Sequence, residues 1–293
     1  MNFFRFLIVC VMVLLISSAC SEEVQDTTVE TETSEILEEK IDDSKEEEST
    51  NNKHDHEVLE KDIIDKYSQV KPKDWGENIE GVITQIDVDK KIVALTFDAC
   101  DGRPGYYDED LINFLIKEEI PATLFVSGEW IKQNKETFIM LSENPLLEIA
   151  NHGYKHKPLS VSGKSAYNIP GTASVEEVFN EVYKNQLLIK KITGEYPKYF
   201  RSGTAHYDDV AVDIIYDLGL KPVNYNVLGD AGGTFDKQQI AYALESANPG
   251  SIMLLHMNQP ESDIAQGVKD GVKRLRQKSF EFVRLADYDE YLN

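Results

Sequence analysis

The sequence predicts an α/β protein: a mainly parallel sheet curled into a distorted or incompletely closed (β/α) barrel, carried behind a disordered N-terminal tether. Three observations predict it. Strand and helix patterns alternate over about 200 residues, the signature of a parallel sheet with crossover helices. The 293 residues suit one barrel-sized core better than two large domains. Polar, chemistry-bearing residues recur just past successive strand ends, as on the catalytic rim of a barrel.

The N-terminus reads as targeting rather than fold. Arg5 precedes an apolar run from Phe6 to Ile16, followed by Ser17-Ser18-Ala19-Cys20. A positive start, a short apolar stretch and small residues before a cut site describe a secretory signal over residues 1–19. Cys20 at that point resembles the lipidated first residue of a bacterial lipoprotein, although Ser17 stands where Leu is commoner. Acyl chains on Cys20 would hold the protein on the extracytoplasmic side of the cell membrane.

Residues 20–75 are expected to be an acidic tether. Between Ser21 and Asp62 there are 17 acidic residues and 4 lysines, a local charge of −13 out of a total of −22. No aromatic residue and no sustained period occur there. The remaining residues, 63–293, carry only −10, so the folded part is moderately acidic. With no basic patch to displace counterions, nucleic acid is excluded as a partner. Three cysteines, one of them Cys10 in the apolar run, do not make a disulfide framework. The protein is expected to act as a monomer.

The fold proper is expected over residues 76–293. Ile92 to Phe97 is a β-rich run ending at Asp98, and Leu111, Ile112, Leu115 and Ile116 share one helix face. Ala122 to Val126 is a buried strand, Trp130 to Leu141 a helix, and Leu147 to Ala150 a strand running into His152. Residues 158–172, with Gly163, Pro170 and Gly171, read as a loop over one rim. Ser174-Val175-Glu176-Glu177 is a capping box opening a long helix. Then come a short strand at Tyr199-Phe200, a helix from Val210 to Leu218, a strand from Val223 to Val227 and a helix from Gln238 to Ser246. An apolar strand from Ser251 to Leu255 ends in His256. A helix from Ile264 to Gln277 and a strand from Phe280 to Val283 complete the chain.

Asp98, His152, Arg201, Asp230 and His256 each follow a predicted strand, so a barrel would gather them on one rim. Any one alone is ordinary loop chemistry; all five at equivalent positions are not. His152 and His156, four residues apart, suit a metal, with surface histidines on a turn as the bland alternative. A catalytic zinc wants three protein ligands and an open position, and Asp98 or Asp101 is the natural third donor. His256 is either a core histidine or a rim general acid.

These residues resemble the polysaccharide deacetylase family, carbohydrate esterase family four, over roughly residues 90–285. Thr96-Phe97-Asp98 is similar to the family's first motif, His152 to His156 to its H-x-x-x-H metal pair, and Leu254-Leu255-His256 to its last motif. The resemblance implies metal-dependent removal of N-acetyl groups from N-acetylglucosamine-type units of a cell-envelope or extracellular polysaccharide. The metal is a divalent ion, by family zinc. Asp98 would be the general base, Arg201 would orient it, His256 would be the general acid and Asp230 would tune that histidine. Two departures stand out. Ala99 occupies the place of the family's second Asp, the usual third metal ligand, and Ser202-Gly203-Thr204 replaces the Pro and Tyr of the Arg-led motif. We therefore assign Asp101 to metal with His152 and His156, keep Asp98 for proton transfer, and read Cys100 as a small packed residue. A catalytically silent sugar-binding protein, or a metal hydrolase of another ester or amide, are the competing classes.

Overall fold

The computed structural model describes residues 56–292. Cys20, the apolar run before it and the acidic stretch up to residue 55 lie outside the described residues. The folded unit begins at Glu57, well before the expected end of the tether. Helix α1, described over 56–67, buries Ile63 and Tyr67, with Leu59 and Ile64 partly buried beside them. Those four apolar side chains form a helical stripe within an acidic sequence, which composition alone hides.

Among the described residues, eight strands make one parallel sheet: β1 (Ile92–Ala99), β2 (Ala122–Val126), β3 (Leu147–Asn151), β4 (Tyr199–Phe200), β5 (Lys221–Pro222), β6 (Val227–Leu228), β7 (Ser251–His256) and β8 (Glu281–Val283). Seven follow the order β6-β7-β1-β2-β3-β4-β5, and β8 pairs with the N-terminal half of β1. The path leaves β5 and β6 as open edges, so the barrel is incompletely closed, as expected. Residues 83–86 lace the gap. Ile83 bridges to Val223 and Gln85 to Ser251, and the Ile86 N–H donates to the Gly250 carbonyl at 2.8 Å. These bonds occupy edge groups that would otherwise be bare.

The expected strand over 223–227 is different in the structure. Residues 223–226 cross from one edge of the sheet to the other, and only Val227 enters β6. The helix expected over 130–141 is two, α3 (Gly128–Gln133) and α4 (Lys135–Ser142). Asn134 breaks them at φ −125, ψ 40, its Oδ1 accepting from the Gly105 N–H and its Nδ2 donating to the Trp130 carbonyl. The remaining helices are α2 (Glu109–Lys117), α5 (Val175–Thr193), α6 (Asp209–Asp217), α7 (Lys237–Glu245) and α8 (Ile264–Gln277). Ser174 does cap α5, its side chain accepting from the Glu177 N–H at 3.1 Å, and left-handed Gly194 ends it.

Strand alternation decides what faces the barrel interior. Val93, Leu95, Phe97 and Ala99 of β1 pack outward among α2, α3 and α8. Ile92 and Ala94 pack inward with Phe125, Ala150, Tyr199 and Ile252. A period of two then carries Asp98 inward from Ala94, His152 from Ala150, Arg201 from Tyr199 and His256 from Ile252. Four of the five rim residues are thus the last inward-facing positions of their strands.

Candidate active site

Asp98 is 4% exposed and sits level with His256 on the neighbouring strand and Phe125 on the other. Its Oδ1 accepts from Arg201 Nη1 at 2.7 Å. Arg201 is fully buried, with Nε donating to the Val223 carbonyl and Nη2 to the Asn224 carbonyl, at 3.0 and 2.9 Å. Its guanidinium carbon lies 4.1 Å from the centre of the Phe125 ring. The crossing segment 223–224 therefore fixes the arginine, and the arginine fixes the aspartate.

His152, 1% exposed, points Nδ1 at the Arg201 carbonyl, 2.9 Å away. A carbonyl only accepts, so Nδ1 carries the proton and Nε2 offers a lone pair. That Nε2 lies 3.4 Å from Asp98 Oδ2 and 3.7 Å from the Cys100 sulfur. His156 stacks edge-on against His152 with ring centres 4.7 Å apart, on a backbone held at φ +57. Buried Glu181 secures this turn, its Oε1 accepting from the N–H groups of Lys155 and Lys157. Positive φ in a non-glycine residue marks strain tolerated for a purpose, here the placement of one imidazole.

Cys100, His152 and His156 each present a donor atom within 4.8 Å of the others. Burial alone would push the Cys100 thiol up, but the imidazoles of His156, His256 and His152 outweigh it and hold the thiol well below its usual range. Two imidazoles and a thiolate are a donor set zinc accepts. The residues present therefore fit a divalent metal.

On the opposite side, His256 Nδ1 meets Asp230 Oδ1 at 2.9 Å, and its own backbone N–H donates to Asp230 Oδ2 at 2.6 Å. Asp230 is fully buried. Burial opposes protonation of His256, but Cys100 and Asp230 outweigh it and raise the imidazole well above its usual range. Asp98, Cys100, His156 and His256 all line one cleft of about 400 Å³.

Residues 85–223 match the family model described as Polysaccharide deacetylase. The match is to a polysaccharide deacetylase domain. Asp98, His152, His156 and Arg201 fall within the matched residues, while Asp230 and His256 lie beyond them. An uncharacterized protein, YlxY of Bacillus subtilis, is 24% identical over 221 residues, covering 73% of this chain and 63% of its own length. The chain thus spans less than two thirds of that relative. The peptidoglycan-N-acetylmuramic acid deacetylase PdaA of Bacillus subtilis is 25% identical over 227 residues, covering 74% of this chain and 80% of that protein. In fold, the domain is similar to a CE4 family pseudoenzyme from Bacillus anthracis, with a TM-score of 0.61, 20% identity and coverage of 72% and 70%.

One expected ligand stands apart from the others in the structure. Asp101 is not with the imidazoles: its carboxylate, 44% exposed, pairs with Arg103 at 2.7 Å. Ala99 is turned outward into the helix layer, and the next side chain to reach the histidines is Cys100, expected from the sequence as a packed residue. Counting the strand in twos from Asp98 leads to Cys100, a signal present in the sequence. Glu181, Glu77 and Tyr225 carried none, since each reaches the site region from a distant segment.

Proposed function

We propose that this protein removes N-acetyl groups from N-acetylglucosamine-type units of a cell-envelope polysaccharide. One observation carries the reading. Asp98 and His256 stand at paired positions of adjacent strands beside the Cys100-His152-His156 cluster, each locked by its own buried partner. The deacetylase activity named for relatives such as PdaA supports it.

Cys100, His152 and His156 would hold a divalent ion, zinc by donor set, and the ion when bound supplies Lewis acidity at the acetyl carbonyl. Asp98, oriented by its 2.7 Å bond from Arg201, takes the proton of the attacking water. The amide nitrogen leaves as an amine only if protonated, and His256 is placed to supply that proton. Asp230 keeps the imidazole oriented through Nδ1, so Nε2 is the atom that donates. The Arg201 guanidinium, tied to two carbonyls, cannot swing away when Asp98 is neutralised.

The signal-like residues 1–19 and Cys20 support placement on the extracytoplasmic face of the membrane through a lipid anchor. Cys20→Ser should release the protein from membranes, and unchanged membrane association would refute the anchor.

The activity is tested by acetate release from a panel of N-acetylated glycans with metal-loaded protein. Asp98→Asn and His256→Ala should each lower turnover by about 10²–10⁴-fold. No acetate from any glycan, or variants as fast as wild type, would refute the reading.

A further inference from the structure

The cleft has a second wall that the proton chemistry does not use. Glu77 lines it opposite the cluster, on a segment that precedes the first strand of the sheet. Three contacts fix its position. Tyr167 donates its hydroxyl to Glu77 Oε1 at 3.1 Å, Tyr225 donates to Oε2 at 3.0 Å, and the Glu77 carbonyl accepts from Asn224 Nδ2 at 2.7 Å. Asn224 is the residue whose own carbonyl receives Arg201, so the wall is tied directly to the catalytic base's support.

Tyr167 reaches Glu77 from the tip of a tight hairpin, Ser165–Ala166 against Ile169–Pro170. Tyr167 and Asn168 both have positive φ, 50 and 64, the geometry of a two-residue turn that usually selects Asn or Gly. A tyrosine there is strained, and what the strain achieves is a hydroxyl aimed at the Glu77 carboxylate. The phenol is 73% exposed, so burial does not explain it.

Charge gives this wall a consequence. Asp98 is paired with Arg201 and His256 with Asp230, and no lysine or arginine is among the described residues lining the cleft. Glu77 has no lysine or arginine partner among the described lining residues, and its side chain is 30% exposed. His206 lies 3.8 Å away, but its Nδ1 meets the Thr204 carbonyl at 2.7 Å. A fixed carboxylate favours a cationic group, tolerates a neutral one and repels an anion.

We propose that Glu77 is a specificity-determining residue that ranks glycan units by charge. Units carrying a free amine bind best, neutral N-acetylglucosamine units next, and units carrying a lactyl ether carboxylate worst. The chemistry rests on the deacetylase reading, whereas the charge order rests on the cleft alone. A product strand, which gains amines as acetyl groups leave, would thus bind better as the reaction proceeds.

Three probes of equal length test this: an N-acetylglucosamine oligomer, the same oligomer with one free amine, and an alternating oligomer bearing lactyl carboxylates without peptide. Affinity is measured by calorimetry and kcat/KM by acetate release, at low and high salt. The wild type should follow the order cation, neutral, anion, with the spread shrinking in salt. Glu77→Gln, which keeps the shape and an oxygen for the tyrosines, should cut the cation-to-anion ratio about tenfold. If Glu77→Gln leaves both the order and its salt response intact, the inference is wrong. Turnover without any charge order sinks the inference alone. Ranked binding with no turnover of any probe sinks the deacetylase reading and leaves Glu77 standing.

Discussion

His152 and Arg201 define each other's chemistry. The Arg201 carbonyl takes the Nδ1 proton of His152 at 2.9 Å, which aims Nε2 at the ligand cluster. The Arg201 side chain, from the same residue, holds Asp98 at 2.7 Å. One residue thus sets the tautomer of His152 with its backbone and the orientation of Asp98 with its guanidinium.

Replacing that guanidinium tests the arrangement. Lysine has one ammonium and cannot bond Asp98, Val223 and Asn224 in the geometry of a planar fork. Arg201→Lys should therefore leave two buried carbonyls short of a donor, lowering unfolding stability by about 2–4 kcal/mol in a denaturant titration. Acetate release should fall by about 10²-fold in the variant that remains folded. Stability equal to wild type would mean that the crossing segment does not depend on Arg201.

The ligand set is open to a direct readout that needs no substrate. Cobalt bound through a thiolate gives a sulfur-to-metal charge-transfer band, and Cys100→Ser should abolish it. The same variant should weaken zinc by more than the 10–100-fold typical of losing an outer-shell partner. Asp101→Asn should bind metal like wild type, because its carboxylate serves Arg103. A band that survives Cys100→Ser would remove the cysteine from the site.

What the sequence disclosed and what it hid follow from range. Strand ends were legible because alternation and apolar runs are local, so Asp98, His152, Arg201, Asp230 and His256 were placed on one rim before any geometry. The incomplete barrel was legible for the same reason, through its alternating elements. Contacts made by distant segments were not. Nothing local to residues 223–226 says that they cross a gap, because what keeps them from being a strand is the missing neighbour on the open side of the sheet. Helix α1 was hidden by its own acidity, although Leu59, Ile63 and Tyr67 recur at four-residue steps. With Ala99 unable to ligate and Asp98 kept for proton transfer, the sequence points to Asp101, yet strand alternation favours Cys100.

Gly203 stands where the family's Arg-led motif has larger residues, and close approach explains it. A Cβ there would overlap the carbonyl of His156 and the peptide that follows. The backbone of one ligand's turn therefore rests on this glycine. Gly203→Ala should push that turn outward, costing about 1–3 kcal/mol of stability and weakening metal binding, seen by thermal melts with and without zinc. Equal zinc-induced stabilisation in both proteins would show that His156 does not feel the change.

The last prediction concerns α1 and acid. Asp217 Oδ2 accepts from Lys66 Nζ at 2.6 Å and from the Tyr67 hydroxyl at 2.8 Å, joining α1 to the end of α6. Burial alone would raise Asp217, but the bonds from Lys66 and Tyr67 outweigh it and lower it below the usual 3.8. A lowered acid means the folded state prefers the carboxylate, so its contribution is complete above the unfolded value and fades as pH falls through the folded one. Protection of residues 57–67 from hydrogen exchange, taken relative to the unstructured chain at the same pH, should therefore fall as the solution is taken from about pH 6 to about pH 3. Asp217→Asn should show low protection in that helix at both ends of the range, with acetate release unaffected because neither α1 nor Asp217 lines the cleft. Wild type and variant exchanging alike near pH 6 would mean that the apolar face of Ile63 and Tyr67, not the ion pair, is what holds the helix down.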